Sequence, residues 1–247
     1  MIVYVDIDHE KVRNDLEKRD EHFSKLMDLK TKFEKISGVP CLIQHYREVS
    51  LAGFQKLGVQ AMIISGNSTD WSEYQENAFH GLNQVILAAP IPILGVCGGL
   101  QKIGMAHGVK IQPLRRLHSK EDDPCNLLAP GYFKEAGFTP IKVLKDDPIF
   151  FGIDGEPKLM ALHYEQLEYV PQGFEWLASS QACDIQVIKQ IDRPVYGFQL
   201  HPEAYCEQPT DNRSALVRKI YPQGFGQVQT DGRMIIENFF RIGGLIK

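Results

Sequence analysis

The chain has 247 residues, a formal net charge of −4, 43% hydrophobic residues and 23% charged residues. This composition is ordinary for a soluble globular protein. The negative charge disfavours a surface for nucleic acid or for an anionic membrane, so we expect neither as a partner. The length fits one α/β domain, and residues 1–247 are predicted to form a single domain.

The five cysteines are an odd number and include no C-x-x-C pair. A disulfide framework and a thiolate metal site are therefore not expected, and a reducing cytoplasm is the expected location. The N-terminus lacks the basic region of a signal peptide, and no apolar run reaches the length of a membrane span. No glycine-rich phosphate loop is present, so no nucleotide cofactor is predicted. No metal is predicted either.

In the first half, short apolar runs alternate with longer amphipathic stretches. The pattern predicts strands at residues 2–5, 41–45, 61–65 and 92–96, and helices at residues 9–37, 50–57, 72–87 and 98–107. This order is typical of a three-layer α/β fold, in which a mostly parallel central sheet lies between helices on both faces. Ligands of such sheets bind beyond the carboxyl ends of the strands, where the Gly66 loop and Cys97 are expected.

In the second half, short strand-like runs are separated by Gly, Pro and Asp. They fall at residues 141–144, 158–161, 175–179, 185–191 and 195–200, and they predict a smaller antiparallel portion. A final helix is predicted at residues 233–241, capped by Thr230, Asp231 and Gly232. The long helix at 9–37 and the polar stretch at 207–229 are candidates for docking or oligomer contacts. A solvated helix face and a mobile loop are equally compatible with their composition.

Cys97 is flanked by Gly95 and Gly99 between an apolar strand and a helix. A free cysteine in a strand is most often a buried structural residue. The G-x-C-x-G pattern instead predicts the sharp strand-turn-helix elbow that exposes a nucleophile. The helix N-terminus favours a thiolate at this position, and the amide of Gly98 would face a developing oxyanion.

A cysteine nucleophile needs a base, and His201 is the best candidate among the eight histidines. It follows the apolar run at 195–200, which places its ring at the edge of the sheet where Cys97 is expected. Glu203, two residues later, is suited to orient the imidazole. The His-Pro-Glu tripeptide is weak evidence alone, but together with the cysteine elbow it predicts a catalytic triad.

These two motifs, GVCGGLQ at residues 95–101 and YGFQLHPE at residues 196–203, resemble those of class I, triad-type glutamine amidotransferases. The likeness extends from the first strand to the terminal helix. It implies the fold of that family, which is flavodoxin-like, and glutamine or a γ-glutamyl compound as substrate. It also implies an ammonia-accepting synthase as partner.

The resemblance assigns a role to each matching residue. Cys97 is implied as the nucleophile, His201 as the base and Glu203 as the residue that orients it. Gln101 and Tyr164 are implied in substrate binding. The oxyanion hole is implied at the residues Gly98, Gly66 and Asn67. The family loop usually reads Gly-Gly-Pro, whereas residues 66–68 read Gly-Asn-Ser here. Asparagine tolerates left-handed backbone better than most residues, so the Asn67 amide can still face the site.

Three functions remain open from the sequence. The first is hydrolysis of the glutamine side-chain amide through a γ-glutamyl thioester on Cys97, with ammonia passed to an acceptor synthase. The second is a free-standing γ-glutamyl hydrolase that acts on γ-glutamyl amines or peptides and uses the same triad. The third is a catalytically idle regulatory or binding subunit, against which the complete triad argues.

Overall fold

The structure is a computed structural model that describes residues 1–123, 129–205 and 230–247. The proposed docking stretch at 207–229 lies outside these residues. Six α-helices are described: α1 (Glu10–Asn14), α2 (Arg19–Ser37), α3 (Leu51–Leu57), α4 (His80–Ala88), α5 (Gly98–Ala106) and α6 (Asp231–Ile242). In the described ranges, no helix is both long and apolar enough to cross a membrane.

An eight-stranded sheet forms the centre of the fold, and five of its strands are mutually parallel. These five are β1 (Ile2–Asp6), β2 (Cys41–His45), β3 (Ala61–Ile64), β4 (Ile93–Val96) and β12 (Val195–Phe198), in the order β2-β1-β3-β4-β12. The antiparallel strands β11 (Val187–Gln190), β10 (Phe174–Ser179) and β7 (Lys142–Val143) extend the sheet beyond β12. The predicted fold class, a mostly parallel sheet with a smaller antiparallel portion, is confirmed.

Two antiparallel pairs lie outside the central sheet. One joins β5 (Ile111–Pro113) to β9 (Glu165–Leu167), and the other joins β6 (Glu135–Pro140) to β8 (Lys158–His163). The apolar runs predicted β8 but not β5, β6 or β9. Those three strands have few buried apolar side chains, so apolar runs do not reveal them.

The core divides between the two faces of the central sheet because successive side chains of a strand point to opposite sides. In β1, Ile2 and Tyr4 join the apolar cluster that includes residues of α2 and α6. Val3 and Val5 join the cluster that includes residues of α3, α4 and α5. Helices therefore cover both faces, as the three-layer prediction required.

The single helix predicted at 9–37 is interrupted at residues 15–18, where the chain turns between α1 and α2. The Asp15 amide ends α1 by donating to the Lys11 carbonyl. The Asp15 carboxylate then accepts a hydrogen bond from the Glu17 amide at 2.9 Å. This turn, which Asp side chains favour, competes with continued helix. The turn changes the direction of the chain before α2, and His22 therefore reaches the end of β1.

Two other helix starts also differ from their predictions. Residues 71–79 form two 3-10 helices, Trp71–Glu73 and Glu76–Phe79, before α4 begins. The Asp70 carboxylate caps the first of them by accepting the Ser72 amide. At α6, Thr230 provides no side-chain cap, and the Asp231 carboxylate instead accepts the Lys158 amide at 2.8 Å.

Candidate active site

Cys97 lies at the sharp turn between β4 and α5. Its backbone has φ 52° and ψ −109°, a conformation that costs a residue with a side chain about 1–3 kcal/mol. The Cys97 amide donates to the Phe198 carbonyl of β12 at 2.7 Å, which holds the turn against the neighbouring strand. Strained backbone at the start of a helix is the geometry of a nucleophile elbow, and it presents the sulfur to the pocket.

The glycines beside Cys97 are required by space. A Cβ on Gly95 would lie 2.5 Å from the Gly99 carbonyl oxygen, and a Cβ on Gly99 would overlap the Ile64 carbonyl oxygen of β3. A Cβ on Gly98 would instead overlap the side-chain oxygen of Asn67. The first two contacts involve backbone, which cannot rotate away, whereas the third involves a side chain.

This difference predicts unequal effects of two neighbouring alanine substitutions. We expect Gly99→Ala to lower the free energy of unfolding by about 2–3 kcal/mol, because β3 and α5 must separate. Gly98→Ala should cost less than about 1 kcal/mol, since Asn67 can rotate and alanine favours helix. Urea denaturation of both variants checks this. Equal losses would contradict the rigid contact between Gly99 and β3.

His201 and Glu203 follow β12 and lie beside Cys97. The His201 amide donates to the Met160 carbonyl of β8 at 2.7 Å, and His201 Nδ1 lies 2.8 Å from Glu203 Oε1. The His201 ring and the Cys97 side chain lie on the same wall of one cavity, both next to Gly66. Burial alone would lower the pKa of His201, but the charges of Glu203 and Cys97 outweigh burial and hold that pKa well above its ordinary range. The geometry therefore favours an imidazolium next to the sulfur.

The Glu203 side chain is buried, with only 7% of the residue exposed. Its Oε1 accepts from His201, while Oε2 is buried and has no hydrogen-bond partner within the described part of the chain. A buried carboxylate is stable when a cation lies against it. Glu203 thus depends on His201 for its side-chain hydrogen bond, and the two side chains form one unit.

The loop after β3 lies opposite the start of α5. A Cβ on Gly98 would be 3.1 Å from the Asn67 amide nitrogen, and one on Gly66 would be 3.1 Å from His201 Cε1 and 3.4 Å from Cys97 Cβ. Gly66 and Asn67 therefore lie close to Cys97 and to Gly98 at the start of α5. Asn67 does not use the left-handed backbone that asparagine tolerates, since Cys97 and Ala129 are the only described non-glycine residues with positive φ.

This loop is held by Asp8, which the sequence motifs did not single out. Asp8 Oδ1 accepts from the Ser68 amide at 2.6 Å and from the Ser68 hydroxyl at 2.8 Å. His22 Nδ1 lies 3.6 Å from Asp8 Oδ2, and His22 Nε2 lies 2.9 Å from Asp6 Oδ2. Burial would lower the pKa of His22, but these two carboxylates raise it. The turn before α2 therefore brings a cation to the loop.

The two predicted substrate-binding residues lie in the same pocket. Gln101 Oε1 accepts from the Trp71 indole at 2.7 Å, and its Nε2 lies 3.3 Å from Gln199 Oε1. The Tyr164 hydroxyl is 3.4 Å from Asp70 Oδ2. Gln101 is thus already fully engaged by protein neighbours, whereas Tyr164 borders the opening.

A cavity of about 340 Å³ connects these groups. That volume falls in the range of small-molecule sites. Its walls carry several carboxylates, namely Asp6, Asp8, Asp70, Glu165 and Glu203. Burial, and next the charge of Asp70, raise the pKa of Glu165 to about 7. The pocket can therefore receive a small ligand over the sulfur and offers acidic groups near its rim.

Two groups of side chains have potential metal-ligand atoms within 4.8 Å of one another: Asp6, Asp8 and His22, and Glu135, His163 and Cys183. In the second group, His163 Nε2 lies 2.8 Å from Glu135 Oε2, and His163 Nδ1 lies 2.9 Å from the Glu165 carbonyl. Both groups are satisfied by hydrogen bonds within the protein. They hold the loop after β3 and the turn before β9, which are two walls of the pocket.

Gln199 and Asp8 are the site residues that sequence reasoning missed. Gln199 donates to Cys97 Sγ at 3.6 Å. A usable signal existed, because residues two apart in an extended segment share a side, and Gln199 precedes His201 by two. For Asp8, the signal was its position just beyond the carboxyl end of β1, where ligands of parallel sheets gather.

Residues 24–219 match the family described as glutamine amidotransferase class-I. The chain belongs to this family. It is 27% identical over 199 residues to the GMP synthases (glutamine-hydrolyzing) of Staphylococcus aureus strain MSSA476 and of Staphylococcus epidermidis. The match covers 80% of this chain but 33% of each relative, so the chain spans about a third of the length of the curated relatives it matches.

Solved structures show the same fold at low sequence identity. A Thermoplasma acidophilum protein, provisionally described as a GMP synthase subunit, matches with a TM-score of 0.64 and 22% identity, over 99% of this chain and 94% of that one. A glutamine amidotransferase from Methylobacillus flagellatus matches with a TM-score of 0.60 and 14% identity, over 100% and 95%. These likenesses establish the three-layer architecture.

Proposed function

We propose that the chain hydrolyses the side-chain amide of glutamine and supplies the ammonia to an acceptor synthase. The observation that carries this proposal is that His201, 2.8 Å from Glu203, lines the same cavity as Cys97. The three side chains meet at the carboxyl ends of β4 and β12, beside the cavity and on a strained elbow. Membership of the glutamine amidotransferase class-I family supports the reaction type.

The proposed reaction begins when the Cys97 thiolate attacks the substrate's amide carbon. The amides of Gly98 and Asn67 stabilise the oxyanion, since Gly98 opens α5 and its N–H has no intrahelical acceptor. The carbon–nitrogen bond then breaks, and His201 gives its proton to the leaving nitrogen, which departs as ammonia. Water, deprotonated by His201, cleaves the γ-glutamyl thioester and releases glutamate. Tyr164 contacts the substrate at the opening, and Gln101 contacts it from the inner wall of the cavity.

The acceptor is proposed from the relatives and from the chemistry. Two curated relatives are glutamine-hydrolyzing GMP synthases about three times as long as the matched segment. Ammonia released into water is protonated and loses its nucleophilicity, so a glutaminase gains from a docked acceptor. A second polypeptide of the synthase class is therefore the proposed partner.

A free-standing γ-glutamyl hydrolase is the second candidate. It is favoured by the carboxylates of Asp70 and Glu165 in the wall of the cavity, which suit a γ-glutamyl amine with a cationic tail. The triad is the same in both cases. The two candidates differ only in which group leaves the γ-carbonyl.

A substrate panel separates the two candidates. The purified chain is given glutamine, γ-glutamyl alkylamines and γ-glutamyl peptides, and glutamate release is measured for each. We expect kcat/KM to be at least about tenfold higher for glutamine, a difference of about 1.4 kcal/mol in transition-state binding. Preference for a bulky amine would instead support the free-standing hydrolase.

A diazo-ketone analogue of glutamine tests the third possibility, a catalytically idle protein. The proposal requires a covalent adduct on Cys97, identified by peptide mass spectrometry. Absence of that adduct from folded protein, with and without a co-purifying synthase, would contradict every hydrolytic function at this site.

A further inference from the structure

The side chain of Gln199 is completely buried and lies against the nucleophile. Its residue exposure is 0%, its Nε2 donates to Cys97 Sγ at 3.6 Å, and its Oε1 accepts from Gln101 Nε2 at 3.3 Å. The proposed reaction assigns no task to this contact. A buried carboxamide whose N–H donates to a sulfur atom nevertheless changes the environment of that sulfur.

The orientation of the Gln199 carboxamide is determined by a residue at the rim of the pocket. The oxygen and nitrogen of a carboxamide have nearly the same shape, so only the neighbours determine which end faces which way. The Trp71 indole nitrogen can donate a hydrogen bond but cannot accept one, and it lies 2.7 Å from Gln101 Oε1. Gln101 must therefore present its NH₂ group to Gln199, and Gln199 must present its own NH₂ group to the sulfur.

Trp71 is itself held in place by other rings. Its ring centroid lies 5.3 Å from that of Tyr74 and 5.9 Å from that of Phe79. The Tyr74 hydroxyl donates to the Ile7 carbonyl at 2.9 Å, which ties these aromatic residues to the end of β1. The Trp71 N–H is the first donor in the hydrogen-bonded chain that leads to Cys97. These contacts hold its orientation.

We propose that Gln199 is a hydrogen-bond donor to the Cys97 thiolate and that Trp71 and Gln101 are the positioning residues that aim it. A hydrogen bond to an anion is stronger than one to a neutral thiol, so an N–H aimed at the sulfur favours the reactive form. Gln101 thereby has a task before substrate binds that is separate from any contact with substrate.

The test follows the alkylation of Cys97 by iodoacetamide over a range of pH. Mass spectrometry of the peptide that contains Cys97 separates this thiol from the other cysteines. The variants Gln199→Met and Trp71→Phe remove the donor and its remote anchor respectively. We expect the midpoint of the alkylation profile to move up by about 0.5–1 pH unit in each. The reaction needs no glutamine, so its outcome does not depend on the proposed function.

Gln186→Met is the matched control. Gln186 is as buried as Gln199, but its amide donates to Glu135 and to Ser180 instead of the sulfur. This variant should keep the wild-type midpoint. The titratable groups that act on the sulfur, His201 with Glu203 and also Cys183, are unchanged in all three variants.

Each outcome is decisive once circular dichroism shows the variants to be folded. A wild-type midpoint in Gln199→Met overturns the proposal. A shift in Gln199→Met with none in Trp71→Phe overturns the role of Trp71 as anchor. An equal shift in Gln186→Met shows general loosening of the core and overturns the specific donor. If Gln199→Met does not fold, a raised midpoint in Trp71→Phe supports the proposal, and a wild-type midpoint there overturns the hydrogen-bonded chain from Trp71 to the sulfur.

Discussion

Cys97→Ala is expected to abolish the release of ammonia from glutamine, with a loss of about 10³-fold or more in kcat. The reason is that the proposed route passes through a thioester, and Cys97 is the only described cysteine that lines the cavity with His201. Cys41 lies on β2, and burial raises the pKa of its thiol to about 11. Coupled measurement of ammonia and glutamate in the purified variant checks the expectation.

Cys41→Ala is the control for this experiment. It also removes a buried sulfur, but one on the far side of β1 from β3 and β4. We expect this variant to lose about 1 kcal/mol of stability and to keep its activity. Wild-type ammonia release by folded Cys97→Ala would exclude the thioester and with it the proposed function.

Parallel strands of the central sheet were predictable because they are buried on both faces. Strands β1 and β3 consist almost entirely of buried side chains, and such strands appear in a sequence as continuous apolar runs. The edge pairs were not predictable by the same rule. In β6, the buried Glu135 interrupts the pattern, and its stability depends on His163, Ser180 and Gln186, which are distant in sequence.

The triad was predictable for a different reason, since its geometry is encoded locally. Gly95 and Gly99 mark the elbow around Cys97, and His201 is followed at once by the residue that orients it. The residues that hold the oxyanion loop carry no such local signal. Asp8 reaches Ser68 across 60 positions, and His22 reaches Asp8 only because the turn at Asp15 breaks the N-terminal helix.

One physical theme connects these parts of the site. The pocket walls carry more acidic than basic side chains, so the cations that it contains matter for the folded state. His22 lies between two carboxylates at the loop, and His201 lies between Glu203 and the sulfur. In both cases, neighbouring negative charge overcomes the effect of burial on an imidazole. In the proposed reaction, the interaction that raises the pKa of His201 would also keep a proton available for the leaving nitrogen.

Glu203→Gln should reduce kcat/KM for glutamine by about 10²–10⁴-fold, because the neutral amide no longer orients and charges His201. The carboxylate raises the pKa of His201, so its removal lowers that pKa. Activity that needs the imidazolium should then be lost at lower pH, and the basic limb of the pH profile should move down. The steady-state rate of glutamate release, measured across pH, checks both effects. Glu203→Asp, which keeps the charge, should retain a basic limb closer to that of the wild type.

The same variant has a stability signature with a defined sign. A histidine whose folded pKa lies above its unfolded value of about 6.5 stabilises the protein fully below that pH, and the contribution disappears as pH rises through the folded pKa. The part of this stabilisation that Glu203 provides is missing in Glu203→Gln. The difference in unfolding free energy between wild type and variant should therefore be larger just below pH 6.5 than in alkaline solution. Urea titrations at the two pH values measure it, and a difference that grew with pH would mean that Glu203 does not hold a proton on His201.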